Sequence, residues 1–312
     1  MKLRFPVSPL AILFAAALFA CKAGEPEAAG DVDDLPAEPS SEGAVEVVAQ
    51  DYAFAAPSRI PSGWTTFRLV NRGKEPHFFL LNRLPDGKTI EDYGAEVGAA
   101  FDSVWDSLRT GAADKAEAGA MLGRRLPAWY ADVEQWGGVG ILAPGRTAPV
   151  TMRLEPGSYV MECYIKTADG EFHSSQGMVL PITVTAEVSD QEPPASDLDI
   201  TLTNDEMLIE GEATPGEHTI AVHFGEHPET GLGNDVHLAR LEDDTSVQEV
   251  ASWMDWMNAD GLRAPAPALF VGGAQEMPVG QTAYFDVVLE PGRYAWISEP
   301  GAQGLIREFT VE

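Results

Sequence analysis

Leu154-Glu155-Pro156-Gly157-Ser158-Tyr159 recurs 135 residues later as Leu289-Glu290-Pro291-Gly292-Arg293-Tyr294. At the same offset, Gly145-Arg146-Thr147-Ala148 stands opposite Gly280-Gln281-Thr282-Ala283. Shared turn chemistry explains a Pro-Gly pair but not an ungapped register, so we interpret the chain as a tandem repeat. In both copies, runs such as Trp64–Val70 alternate with Gly, Pro and Asn turns. This pattern predicts an all-β fold of two tandem Greek-key β-sandwiches.

Breaks in composition set the expected domain boundaries. Residues 21–44 are rich in Ala, Glu, Asp and Pro without apolar periodicity, which is typical of a flexible acidic tether. A second polar, Pro-containing break predicts a linker at 188–196 between domains at 45–187 and 197–312. Helical spacing of apolar residues over 91–122, with a shorter counterpart at 247–257, predicts a helical insertion between strands of each domain.

The N-terminus has the features of an export signal. Lys2 and Arg4 precede a short apolar run ending in Leu18-Phe19-Ala20-Cys21, which resembles the bacterial lipobox. We therefore expect residues 1–20 to be a signal peptide and Cys21 to be lipidated, which would anchor the protein to the membrane of the cell envelope on the periplasmic side. Lys22, in place of the aspartate that retains some lipoproteins at the inner membrane, favours the outer membrane of a Gram-negative cell.

The charge of the chain limits its partners. The net charge is −29, or −31 without the two positive charges of residues 1–20. So acidic a protein is a poor ligand for nucleic acid or anionic lipid headgroups. It suits a basic protein partner, and it equally suits plain solubility.

Cys163 is the only thiol that remains if Cys21 is lipidated. An unpaired cysteine in an exported protein indicates burial, an intermolecular bridge or a metal. His173 and Met178 follow it, and His77 lies upstream. Two imidazoles, a thiolate and a thioether together suit copper, because the sulfur donors favour Cu(I) and imidazole accepts both oxidation states.

The first segment resembles the cupredoxins, the blue-copper family, at its two ends. Ile60-Pro-Ser-Gly and Phe67-Arg-Leu-Val-Asn71-Arg-Gly73-Lys-Glu-Pro-His77 look like the stretch that carries the first histidine of the family. Pro156-Gly157-Ser-Tyr159-Val-Met-Glu-Cys163 and His173-Ser-Ser-Gln-Gly177-Met178 look like its closing loop. The resemblance implies a cupredoxin-like fold with His77, His173 and Cys163 as copper ligands and Met178 as a weak axial ligand. It also places Asn71 beside the ligands, its amide bridging the two ligand-bearing loops.

One departure from the family concerns the spacing of the ligands. Nine residues, 164–172, separate Cys163 from His173, where the family has two to four. Asp169-Gly170 predicts a hairpin in this insertion. Such a hairpin either returns His173 to Cys163 or displaces it and leaves no metal site. Taken singly, each of the four side chains also suits a structural role in a core, a turn or a surface.

The second segment is expected to bind no type 1 copper. His237 aligns with His77, but Ser298 stands opposite Cys163, and the part that would hold His173 is shorter. A histidine at this position therefore does not by itself indicate a metal.

These observations favour a lipid-anchored, exported cupredoxin-like protein that binds copper and transfers one electron, with a basic or cytochrome-like redox protein as partner. Two alternatives stay open: a metal-free binding or scaffold lipoprotein, and a copper storage or delivery protein. The six histidines provide no multicopper cluster, and no hydrolase motif is present, so we expect the protein not to be an enzyme.

Overall fold

The computed structural model describes residues 43–229, 232–299 and 305–312. The predicted signal peptide, Cys21 and all but the last two residues of the tether lie outside these ranges. In the described part of the chain, no helix is long and apolar enough to cross a membrane. Both halves of the repeat belong to one compact unit, Ser40–Glu312.

The first half forms a sandwich around one long bent strand. Its strands are β1 (Val45–Gln50), β2 (Ala53–Ala55), β3 (Arg59–Asn71), β4 (Leu80–Arg83), β5 (Glu134–Gln135), β6 (Thr147–Leu154), β7 (Gly157–Glu162) and β8 (Val179–Val188). The start of β3 pairs in parallel with β8, and its remainder pairs with β1 and β6. Because β3 serves both layers, its alternating side chains fill the core between them.

The second half has a similar set of strands, which are divided between two separate sheets. Its strands are β9 (Leu198–Leu202), β10 (Met207–Glu210), β11 (Gly216–Phe224), β12 (Val236–Leu241), β13 (Leu269–Ala274), β14 (Thr282–Leu289), β15 (Gly292–Ile297) and β16 (Ile306–Val311). Strands β14 and β15 begin and end 135 residues after β6 and β7, at the offset of the sequence repeat. The predicted all-β fold of two tandem sandwiches is confirmed.

A continuous sheet joins the two halves. Strand β6 pairs with β14 antiparallel, so one sheet runs from β10 through both halves to β5. Beside this pairing, the extended segment 139–143 hydrogen-bonds to β13. A Cβ at Gly140 would lie 2.8 Å from the Gly272 carbonyl oxygen, so glycine is needed for the two backbones to approach. Strand β8 ends at Val188 and β9 begins at Leu198, on either side of the predicted linker. The domain boundaries themselves stay a prediction.

Each half carries a helical insertion, as predicted. In the first half it comprises α1 (Ile90–Asp92), a π-helical turn (Tyr93–Gly98), α2 (Ala99–Arg109), α3 (Lys115–Arg125) and a 3-10 turn (Ala128–Asp132). Asp114 and Glu117 form a capping box that starts α3. The second half has α4 (Val247–Met254), whose Val250 and Met254 are buried.

Candidate metal centre

Three side chains of the first half converge in its interior. The Cys163 Sγ lies 3.9 Å from the His77 Nδ1 and 3.6 Å from the His173 Nδ1, and the two Nδ1 atoms are 3.2 Å apart. All three residues are fully buried. In the described part of the chain they form one of two clusters whose donor atoms are close enough to share a metal ion. The loop after β3, the end of β7 and the inserted hairpin each contribute one of them.

The hairpin at 164–172 returns His173 to the thiol. Lys166 pairs with Phe172 in an antiparallel bridge, and the His173 amide donates to the Ile165 carbonyl oxygen at 2.8 Å. Gly170 closes the turn with a φ of +86°, a conformation that glycine adopts without strain. The long spacing between Cys163 and His173 therefore does not separate them.

The second half of the chain holds this hairpin in place. The Lys166 ammonium donates to the carbonyl oxygens of Trp256, Asn258 and Gly261 at 2.6, 3.2 and 2.7 Å. It also lies 3.6 Å from the centre of a Trp105 ring, at cation–π distance. Since Lys166 pairs with Phe172, the residue before His173, these contacts position the histidine.

Carboxylates determine which nitrogen of each histidine carries the proton. The His77 Nε2–H donates to Asp51 Oδ1 and the His173 Nε2–H donates to Glu75 Oε2, both at 2.8 Å. Burial lowers the pKa of both imidazoles, that of His173 to about 3, so each ring is neutral. A neutral ring that donates through Nε2 has a lone pair on Nδ1. The two Nδ1 lone pairs therefore face each other and the sulfur.

This donor set fits a metal ion. The two Nδ1 atoms are 3.2 Å apart, so their lone pairs repel each other unless a cation lies between them. The point equidistant from the three donor atoms lies about 2.1 Å from each, within the roughly 2.0–2.3 Å of metal–imidazole and metal–thiolate bonds. Burial raises the pKa of the Cys163 thiol to about 12, so its thiolate requires a cation beside it. Two imidazoles and a thiolate in a trigonal arrangement are the donors that suit copper.

Met178 and Asn71 lie close to these residues in the chain fold. Met178 is fully buried, and its backbone donates to the His173 carbonyl oxygen and accepts from the Cys163 amide. The Asn71 amide donates to the carbonyl oxygens of Glu75 and Leu142, both at 2.9 Å. Asn71 thus ties the His77 loop to segment 139–143 and not, as expected, to the loop of Cys163. The Leu142 backbone that accepts from Asn71 also pairs with the backbone of His77.

Sequence reasoning missed Asp51, Glu75 and Lys166. Asp51 lies in the turn between β1 and β2 and reaches His77 only through the fold. Gly73 allows this contact, because a Cβ there would lie 2.2 Å from Asp51 Oδ1 and 2.6 Å from His77 Nε2. Glu75 precedes His77 by two residues, the one local signal that could have indicated its role.

The second half carries the other cluster, Asp235, His237 and Glu299, but the Nδ1 of its histidine already accepts a hydrogen bond. The Ile141 amide donates to the His237 Nδ1 at 3.0 Å, and the His237 Nε2–H donates to Asp235 Oδ2 at 2.9 Å. Both nitrogens are therefore committed, and a metal could bind only by displacing the Ile141 amide from Nδ1 or the proton from Nε2. This arrangement is unfavourable for copper, and the absence of a type 1 site from the second half stays a prediction.

The chain is similar in structure to copper proteins. Auracyanin from the photosynthetic bacterium Roseiflexus castenholzii matches with 19% identity, over 47% of this chain and 99% of that chain, at a TM-score of 0.28. A protein described as a multicopper oxidase matches over 86% of this chain and 88% of that one, with 13% identity and a TM-score of 0.22. The copper nitrite reductase from Nitrosomonas europaea matches over 86% and 93%, with 14% identity and a TM-score of 0.23. A scan of protein-family models and a search of curated proteins find no match.

These matches concern the fold alone. They also correct one expectation, namely that the protein is not an enzyme. Proteins named as a multicopper oxidase and as copper nitrite reductases are among the matches, so the expectation that this protein is not an enzyme was wrong as an inference from motifs.

Proposed function

We propose that the protein is a lipid-anchored, exported copper protein that transfers one electron through the centre formed by His77, Cys163 and His173, with Met178 as axial ligand. The observation that carries this proposal is the pair of Nδ1 lone pairs that face each other and the thiol. Neither core packing nor a turn cap requires two acceptors to point at one another.

The residues around the centre suit a redox role. Copper bound here would supply a one-electron couple. The three donors come from backbone segments that are cross-linked by hydrogen bonds, so they hold similar positions whatever the charge at the centre. Complete burial of the donors excludes water. Tyr52 packs against the His173 ring at 4.7 Å between centroids and covers it.

An acidic surface next to the ligands supports a basic redox partner. Asp51 and Glu75 contact the two histidines directly, and their side chains are 22% and 18% exposed. Burial raises the pKa of Glu75 and of Tyr52, and the charges of Asp51 and Asp169 add to the rise. Electrostatic attraction between this surface and a basic protein such as a cytochrome would be weakened by salt.

Copper titration of the full chain in detergent tests the proposal. We expect one copper per chain and an intense band at about 600 nm for the oxidised protein, as trigonal copper–thiolate sites have. Cys163→Ser should remove the band, and His237→Gln, a buried histidine outside the centre, should retain it. Binding of Cu(I) without the band would support copper storage or delivery. No binding would support a metal-free scaffold.

The lipid anchor is tested separately. Expression in a bacterial host should place the wild-type chain in the membrane fraction, with the added mass of lipid on Cys21. Cys21→Ala should release a protein that still binds copper. Recovery of both forms in the soluble fraction would contradict the anchor and leave the copper proposal standing.

A further inference from the structure

A cavity of about 310 Å³ lies beside the metal centre and is not part of it. It opens between the helical insertion of the first half, the strands β4 and β7, and the inserted hairpin, and the second half contributes Leu232 and Trp256 to its wall. None of the three donor residues lines it. The volume is at the lower end of the range of small-molecule sites, which is about 300–1,000 Å³.

Aromatic rings form much of the wall. They are Tyr93, Phe101, Tyr130, Tyr164, Phe172 and Trp256. The ring of Phe101 contacts Tyr130 and Trp256, with centroids 6.4 and 5.8 Å apart, and Trp256 in turn contacts Phe172 at 6.3 Å. The rings therefore hold one another in position around the space.

The charged groups of the wall are all acidic. Glu162 and Asp102 line the cavity, and no lysine, arginine or histidine does so among the described residues. The nearby Lys166 is committed to three carbonyl oxygens. The wall therefore combines negative charge with the negative faces of aromatic rings.

Glu162 is prepared to receive a ligand. Its Oε1 accepts from the Asn82 amide at 2.7 Å and from the Tyr93 hydroxyl at 2.8 Å, which orients the carboxylate. No described residue donates to its Oε2, and none forms an ion pair with it. The carboxylate thus has a fixed direction and a free acceptor atom at the cavity wall.

From these contacts we propose that the cavity binds a small organic monocation, a quaternary ammonium or an amine. Aromatic faces attract such a cation through their quadrupoles, and Glu162 supplies the counter-charge. An anion would be repelled by both carboxylates. A neutral ligand of the same shape would fill the space and leave Glu162 without a counter-charge. The proposal does not depend on copper.

The test compares choline with 3,3-dimethylbutan-1-ol, its neutral isostere of the same shape, by calorimetric titration of the full chain. We expect choline to bind about tenfold or more tightly than the alcohol, the discrimination that a desolvated cation–π site with a carboxylate supplies. Equal affinities in the wild-type protein, or no binding of either probe, would overturn the proposal.

Two variants refine this test. Glu162→Gln keeps the shape of the side chain and the Asn82 contact but removes the charge. The ratio of the affinities for choline and for the neutral alcohol should then fall to near one. Glu155→Gln, a surface carboxylate that pairs with Arg153, is the matched control and should retain it. A Glu162→Gln protein that keeps the wild-type preference for choline would contradict the role of this carboxylate. Circular dichroism verifies that both variants fold, and the comparison of probes in the wild-type protein decides the question if one does not.

Discussion

Replacing Glu75 tests whether carboxylates prepare the metal centre by fixing the tautomers of its histidines. Glu75 Oε2 accepts from the buried His173 Nε2–H at 2.8 Å. In Glu75→Leu this proton loses its partner and can move to Nδ1, where Cys163 and His77 lie. The lone pair that would hold the metal is then lost. Glu75→Gln is the matched variant, because its amide oxygen can still accept from Nε2.

The magnitude follows from what each variant removes. Loss of an acceptor that orients a ligating histidine weakens metal binding by about 10–100-fold. We expect Glu75→Leu at the upper end, near 100-fold, because His173 is fully buried and finds no water to replace the acceptor. Glu75→Gln retains the hydrogen bond and loses only its charge, so we expect a loss of less than about tenfold.

The assay is a competition titration of Cu(I) between the protein and a chelator of known affinity at pH 7, with Glu134→Leu as a surface control. Equal affinities of Glu75→Leu and the wild-type protein would refute the tautomer argument, as would equal losses in the leucine and glutamine variants. Unchanged circular dichroism is required of each variant, so that a loss of affinity is not a loss of fold.

Two further predictions concern the joint between the halves. Gly140→Ala should lower the free energy of unfolding by about 1–3 kcal/mol in urea denaturation, because the new Cβ meets the backbone of Gly272 and Gly273. Gly119→Ala, on an exposed face of α3 with open space around it, should instead be neutral or stabilising by up to about 1 kcal/mol. A destabilised Gly119→Ala with an unaffected Gly140→Ala would contradict the packing argument. Burial lowers the pKa of Lys166 from about 10.5 to about 7, against the carboxylates of Glu299, Asp255 and Asp260, which raise it. Between pH 7 and 10 the unfolded chain then binds more protons at Lys166 than the folded chain does. The free energy of unfolding should therefore rise with pH in that window, by at most about 1.4 kcal/mol per pH unit, and Lys166→Met should lose this contribution to the slope. Identical slopes for the two proteins would refute the argument from Lys166.

The fold and three members of the candidate site, His77, Cys163 and His173, could be predicted from the sequence because short sequence segments carry the relevant signals. A strand, its turn and its side-chain alternation are properties of short segments, and the repeat at an offset of 135 reappears in the strand pairs β6 and β14, and β7 and β15. The Asp169-Gly170 turn likewise indicated the hairpin that returns His173. Each of these signals is contained in a few consecutive residues.

The groups that complete the site could not be predicted, because they come from remote parts of the chain. Asp51 reaches His77 from a turn 26 residues away, and Lys166 reaches its carbonyl acceptors across at least 90 residues. The pairing of β6 with β14 likewise depends on which strands form the edges of the two sheets, and the pattern of residues along a strand does not encode this. Polar side chains in turns are common, and only the tertiary fold decides which of them receives a buried proton.

Segment 139–143 explains why the aligned histidines His77 and His237 differ in whether their Nδ1 is available to a metal. Successive peptide groups of an extended segment point in opposite directions. The Leu142 backbone pairs with the backbone of His77 and leaves the Nδ1 of that ring without a backbone donor, whereas the Ile141 amide donates to the Nδ1 of His237. The absence of a thiol at Ser298 and the hydrogen bond on the Nδ1 of His237 both argue against type 1 copper in the second half. Ser298→Cys alone would restore the thiol but not the lone pair, so this variant should bind no second copper.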